Sequence, residues 1–264
     1  PSLQSRLLLL VTSHQGYLNL CQLLTLLWEH ALPSGPQGVP WSELILHSDG
    51  LIALSGFSAG WQGEALLSED PAHAKAMALE LASTFPHRFY LEVQRAGRLS
   101  DEALVAANAK LAQELGLPLV ATHPVQFGTP EDHEAHEARI CIADGEILGN
   151  PRRIRRFTSE MYFKTSQEMQ QLFEDLPDAL DNTVLIAQRC NLTLSLGKPQ
   201  LPDYPTPLIN GSPMPIEEYF RQESHAGLER RLNERFPSVA ERDLVRADYH
   251  QRLDHEISTI IRMG

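Results

Sequence analysis

Long apolar runs are missing from this 264-residue chain. The longest, Leu7–Val11, has the length of a strand and falls far short of the ~20 residues that cross a bilayer, so no membrane role is expected. The opening Pro1-Ser2-Leu3-Gln4 has neither a basic flank nor a small-residue cleavage site, and no secretory leader is expected. Cysteine is scarce. Cys21, Cys141 and Cys190 are far apart and odd in number, which argues against a disulfide framework and leaves no C-x-x-C pair for zinc. A reducing, cytoplasmic setting follows. Positive charge is also short: 22 Lys and Arg face 34 Asp and Glu, a net charge of −12. A surface that acidic repels phosphate at long range and is not expected to be a main nucleic-acid grip. Nor is there a Gly-rich phosphate loop, a nucleophile elbow or a Ser-His-Asp signature.

What is present suffices for a buried core: 42% of the residues are hydrophobic and 21% charged, enough chain for one large domain, or one domain with an appendage. Residues 6–12 read as a buried strand. A helix from about Gln15 to His30 follows, with Leu20, Leu23, Leu24 and Leu27 on one face. Residues 32–40 are rich in Pro and Gly and read as a loop. Strands are expected at 50–55, closed by Gly56, and at 88–93, with a helix near 71–83 between them. The clearest unit comes next. Ser100 is placed to N-cap a helix opening with Asp101 and Glu102; Leu104, Leu111 and Leu115 keep helical period; Gly116 occupies the C′ position and Pro118 follows. With Leu119–Thr122 as the next strand, this is a βαβ unit, and the sheet is at least partly parallel.

Beyond residue 130 the pattern is mostly helical. Thr165-x-x-Glu168 reads as a capping box. Leu180, Val184, Ala187 and Cys190 mark one helical face. Pro199, Pro202, Pro205, Pro207, Pro213 and Pro215 make 199–215 a linker that cannot be regular throughout. Helices at about 216–235 and 239–263 close the chain, and a boundary falls near residue 200.

Several clusters are candidates for chemistry. His133-Glu134-Ala135-His136-Glu137 is one residue short of the H-E-x-x-H zinc motif and reads better as a polar helix surface. His123 offers a third nitrogen, though Pro124 beside it suggests a turn. The acidic pairs Glu69-Asp70 and Glu131-Asp132 precede helices, where carboxylates favour the dipole. Arg152, Arg153, Arg155 and Arg156 form the single dense basic run, which reads as a solvated loop or a contact with acidic protein before a phosphate contact, since no aromatic residues interleave.

The segments Gly16–Leu20, GLIALSG (50–56), FYLEVQRAGR (89–98), GLPLVAT (116–122), AHEARICIADG (135–145), the long run 175–198, LPDYP (201–205) and EISTIIRMG (256–264) occur in the order and spacing of the α subunits of bacterial replicative polymerases (DNA polymerase III), proteobacterial type. The resemblance covers nearly the whole chain. It implies a PHP (polymerase and histidinol phosphatase) domain over 1–200, a distorted (β/α)7 barrel incomplete at its N-terminus. Over 201–264 it implies a Pro-rich linker and a helical lead-in to the polymerase palm. Parallel strands near 6–12, 50–55, 88–93 and 118–122 are then expected.

The resemblance also implies a site. In metal-binding members, His, Asp, Glu and Cys side chains at the strand ends hold up to three ions able to activate water. The first ligands of that pattern would precede Pro1. At the four positions this chain covers, Arg6 replaces a His, Phe57 a Cys, and in VATHPVQF Pro124 and Gln126 replace an Asp and a His. None is a good metal ligand. The expectation is a segment without metal or catalytic residues, supporting the polymerase and docking a separate proofreading ε subunit. The Mg²⁺-binding palm aspartates, and the contacts with DNA, nucleotides and the sliding clamp, would belong to other parts of a longer chain. The alternatives are a metal-dependent phosphoesterase or 3′–5′ exonuclease using His123, His133 and His136, and direct DNA binding through Arg152–Arg156.

Overall fold

Four short strands form one sheet whose spatial order follows the sequence: β1 (Leu8–Val11), β2 (Leu51–Leu54), β3 (Phe89–Val93) and β4 (Leu119–Ala121). The computed structural model describes residues 5–29, 31, 38–68, 70–199 and 202–263; the end of the first expected helix, most of the expected 32–40 loop and Glu69 lie outside them. Helices α1 (His14–Glu29) and α2 (Trp41–Leu46) join β1 to β2; α3 (Trp61–Leu67) and α4 (Pro71–Thr84) join β2 to β3; α5 (Asp101–Leu115) joins β3 to β4. Three more follow: α6 (His133–Asp144), α7 (Ser166–Leu172) and α8 (Pro177–Arg189). The chain divides into two compact units, Pro1–Leu194 and Ser195–Gly264.

The strands β2, β3 and β4 are parallel neighbours, as the βαβ pattern requires. The expectation fails at β1, which runs antiparallel to β2 with Leu8 opposite Leu54 and Val11 opposite Leu51. An apolar run of four residues carries no direction of its own; the connection sets it. Here the Thr12 N–H donates to the Gly50 carbonyl at 2.9 Å, and the Asn19 amide donates to the Asp49 carbonyl at 2.8 Å, closing that end of the pair as a wide hairpin. Gly16 and Gly50 permit the approach, since a Cβ on Gly16 would lie 2.0 Å from the Gly50 oxygen. Nor is β1 buried. It forms the sheet edge, and Leu8 is 48% exposed. The sheet is open over the described residues, and a closed (β/α)7 barrel is not formed by them.

The main core lies where α1, α4 and α5 cover the sheet, around Leu23, Leu51, Ala53, Leu81, Phe85, Phe89, Leu91 and Leu111. Each apolar side chain of this size stabilises the fold by roughly 1.5–3 kcal/mol when fully buried. A second cluster joins Phe57, Val93, Leu104 and Ala121 to Phe173 and Ala179. Arg95 fastens that region: it bonds Asp175 at 2.6 Å and Glu102 at 3.0 Å while lying over the Phe173 ring. The buried face of α8 consists of Ala179 and Ile186 rather than the expected stripe, because Val184 and Ala187 face solvent.

Local signals fare unevenly. Gly116 ends α5 in the left-handed region at φ 64°, and Thr165 and Glu168 form the expected reciprocal capping box. Ser100 does not cap α5 with its side chain. The neighbouring Asp101 instead turns its carboxylate back on the preceding loop, accepting from the Ala96 N–H at 2.7 Å and the Arg98 N–H at 3.1 Å. In the second unit, strands β5 (Leu208–Ile209) and β6 (Ser212–Pro213) pair around Asn210 and Gly211, at φ 51° and 82°, the two-residue turn that matches strand twist. Helices α9 (Ile216–Arg235) and α10 (Val239–Met263) pack on each other, burying Leu232 and Ile257.

Candidate functional site

Because β1 is reversed, its N-terminal end shares one sheet edge with the C-terminal ends of β2, β3 and β4, the edge where parallel α/β sheets place their sites. A cavity of about 750 Å³ opens here. Arg6, Ser58, Glu92, Gln94 and Arg98 supply its polar end, with Pro124 also lining it; Leu7, Leu9, Leu20, Leu23, Leu27 and Trp61 supply the apolar remainder beside β1.

Glu92 organises the polar end. It is only 3% exposed, on a strand otherwise built from Phe, Tyr, Leu and Val. Its carboxylate accepts from the Gly56 N–H and, at 2.7 Å, from the Thr122 hydroxyl. Burial, the largest influence, pushes its carboxyl above the usual range, and those two hydrogen bonds pull against it. The network then runs outward. Gln94 donates to the Thr122 hydroxyl at 2.9 Å, Arg98 donates to the Gln94 carbonyl oxygen at 2.8 Å, and Arg98 pairs with Asp101 at 2.7 Å. One buried carboxylate thus spans three strand ends, with the Arg98 guanidinium at the rim. Sequence reasoning missed it, although a lone Glu inside the run FYLEV was a signal.

Three of the four positions expected from the resemblance to align with family ligands reach this edge. Arg6 lines the cavity and its backbone N–H donates to the Ala59 carbonyl at 2.7 Å. Phe57 is 1% exposed, held in the left-handed region at φ 47°, with the Arg98 guanidinium 5.3 Å from its ring centroid. Pro124 lines the cavity. Gln126 points away: its side chain is exposed and its backbone N–H donates to Met161 at 2.8 Å. A guanidinium, a phenyl ring, a pyrrolidine and an amide turned outward do not form a donor set for a divalent ion, which needs converging anionic or imidazole groups.

The three candidate histidines are held separately. His123 Nε2 lies 2.8 Å from the Glu160 carbonyl, and burial lowers its affinity for a proton. His136 packs edge-on against Phe157, and Phe127 lies against both His133 and His136. Among the described residues, no three His, Cys, Asp or Glu side chains converge where a metal would sit. The expected polar surface of α6 also needs correcting, since His136 and Glu137 are buried. Glu137 is covered because Arg153 reaches back to it in a pair whose side chains are 5–6% exposed. Arg156 likewise pairs with Asp144. The basic run therefore spends two of its four cations on the acidic face of its own domain, and Arg152 and Arg155 face solvent.

Comparison with known proteins places this geometry. Residues 3–96 match the PHP domain family. Over 98% of its length the chain is 43% identical to the DNA polymerase III subunit alpha of Pseudomonas fluorescens and 44% identical to that of Pseudomonas aeruginosa. Over all of its length it is 42% identical to that of Neisseria meningitidis. The chain belongs to the DNA polymerase III α-subunit family, and its first part carries the PHP domain match. It spans 22–23% of the length of these relatives. Within the α-subunit frame, the PHP match takes in β1 to β3 with Arg6, Phe57 and Glu92, while Pro124 and Gln126 lie past it. Among the described residues, no helix is long and apolar enough to cross a membrane.

Proposed function

We propose that this segment is a PHP domain retained for architecture after the loss of its metal chemistry, within a longer cytoplasmic polymerase chain that replicates DNA. In that reading the open sheet is an arc of a distorted (β/α)7 barrel, and nucleotidyl transfer, with its Mg²⁺, belongs to aspartates elsewhere in the longer protein. The observation that carries the proposal is the chemistry at the strand ends. Arg6, Phe57 and Pro124 stand where ligands would converge, and Arg98 adds a second cation beside them. Neither guanidinium can ligate a divalent ion, and the Glu92 and Asp101 carboxylates there are already engaged, so none is free to offset the cost of dehydrating one.

The domain then acts as a support for the polymerase core and as a platform for a separate proofreading ε subunit, which supplies the exonuclease in trans. The ε contact is carried by family resemblance. The test uses the full-length parent, chelated and dialysed. Elemental analysis should find less than stoichiometric Zn or Mn, metal-dependent phosphodiesterase activity should be absent, and ε should bind through the equivalent of residues 1–200. Stoichiometric metal would make the phosphoesterase reading the better one. An ε footprint wholly outside this segment would remove the docking role and leave the support role standing.

A further inference from the structure

Two histidines that the proposed function does not use meet across α9 and α10. Nδ1 of His225 lies 3.3 Å from Nδ1 of His250. Their other nitrogens are engaged crosswise: His225 Nε2 lies 2.9 Å from Asp254, and His250 Nε2 lies 2.7 Å from Glu229. Each carboxylate is four residues beyond a histidine on its own helix, so two His-x-x-x-acid ladders face each other. Arg246 bonds Glu229 at 3.2 Å, and Arg242 stands near it. Among the described residues, Asp254, Glu229, Arg246 and Arg242 are the charged groups whose contacts reach the pair or its carboxylates.

Proton bookkeeping decides what this arrangement does. A carboxylate only accepts, so each Nε2 must carry a hydrogen. Two neutral rings would then point bare Nδ1 lone pairs at each other. Two imidazolium rings would oppose two N–H groups and two like charges. One added proton resolves both conflicts by forming an N–H⁺···N bond, and the single positive charge sits between two carboxylates. We propose that His225 and His250 hold one proton between them and act as a pH-sensitive clasp joining α9 to α10. The clasp is strongest with that proton in place. It loosens as pH rises and the proton leaves, and again at acid pH as a second proton enters and the carboxylates neutralise. Glu229 fits this reading, since the hydrogen bond from His250 is the main influence holding its carboxyl below the usual range.

The test uses the whole chain labelled with ¹⁵N-histidine. Ring ¹⁵N shifts should show both rings protonated at Nε2, with uptake of the last two protons in separated one-proton steps that belong to the pair. Either His225→Gln or His250→Gln should reduce this to one simple step. In a double-mutant cycle followed by urea unfolding, the coupling at about pH 6, near the histidine range, should be three- to tenfold in equilibrium constant, about the range for a partly exposed charged hydrogen bond. It should be largely gone by about pH 8.5. The double Gln variant keeps side-chain length and should lose only the part of the pH dependence that the pair contributes, leaving that of Glu92 and Glu168 in place. Independent titration of the two rings, coupling equal at both pH values, or a stoichiometric metal ion found on these nitrogens would overturn the proposal.

Discussion

The Thr122 hydroxyl at the end of β4 donates 2.7 Å to the carboxylate of Glu92 on β3, and the Gly56 N–H beyond β2 donates to the same carboxylate. One ionisable group therefore ties together the three parallel strands at the edge where a metal site would be built.

That tie has a pH signature. Glu92 titrates above its ordinary value of 4.5 when folded, so the folded state binds the proton more tightly than the unfolded chain. Stability from this group is full below about pH 4.5 and declines as pH rises through the higher folded value. Urea midpoints for the parent should carry that decline, and Glu92→Gln should flatten it. Identical pH slopes for the two proteins would contradict the assignment.

The capping box at α7 should respond in the opposite sense. Hydrogen bonds from Tyr162 first, and then from the Thr165 backbone and hydroxyl, hold Glu168 at about 2. Its contribution is present above the ordinary value of 4.5 and is lost as pH falls toward 2. Glu168→Gln should remove that acid-side loss. Thr165→Ala should cost about 1 kcal/mol at neutral pH, the usual value of a lost cap. An unchanged unfolding midpoint for Thr165→Ala would show that the cap contributes nothing.

The basic run should divide into two classes. Arg153→Met strands the buried carboxylate of Glu137, whereas Arg156→Met loses a half-exposed pair with Asp144. Thermal melts should show the larger drop for Arg153→Met, with much of it recovered in Arg153→Met/Glu137→Met, where neither charge is left alone. Equal drops for the two single variants would mean that burial of the first pair has no energetic weight.

Two glycines provide a steric test. A Cβ on Gly60 would lie 1.7 Å from the Ser55 carbonyl oxygen, whereas one on Gly149 meets nothing within 4 Å. Gly60→Ala should destabilise by about 2–3 kcal/mol or prevent folding, and Gly149→Ala should leave the denaturation curve nearly unchanged. A well-folded Gly60→Ala of parental stability would mean that the turn after β2 has another conformation available.

How much was legible in the sequence depended on the range of the interaction. The α5 stop at Gly116 and the Thr165/Glu168 box are written within a few residues, and both were readable. Strand positions were readable to within two residues, because apolar runs mark them. The direction of β1 was not, since it is fixed by where α1 and α2 deliver the chain. The Asn210-Gly211 hairpin was hidden under a reading of prolines as linker. At the site, the family pattern pointed to Arg6, Phe57 and Pro124, which the fold brings to this edge, but the role of Glu92 was not legible. Its partners Gly56 and Thr122 lie 36 and 30 residues away. The burial of His136 and Glu137 likewise depends on Phe157 and Arg153, whose contacts no local spacing encodes.

The reversal of β1 also determines what an observer attached to the chain would see. Ser5 lines the cavity at the strand ends, instead of lying at the opposite edge as it would ahead of a parallel strand. A fluorophore coupled there would sit within reach of Arg6, Trp61 and the Glu92 network. Its emission would report on solvent and solutes entering the cavity, making Ser5 a vantage point on the site.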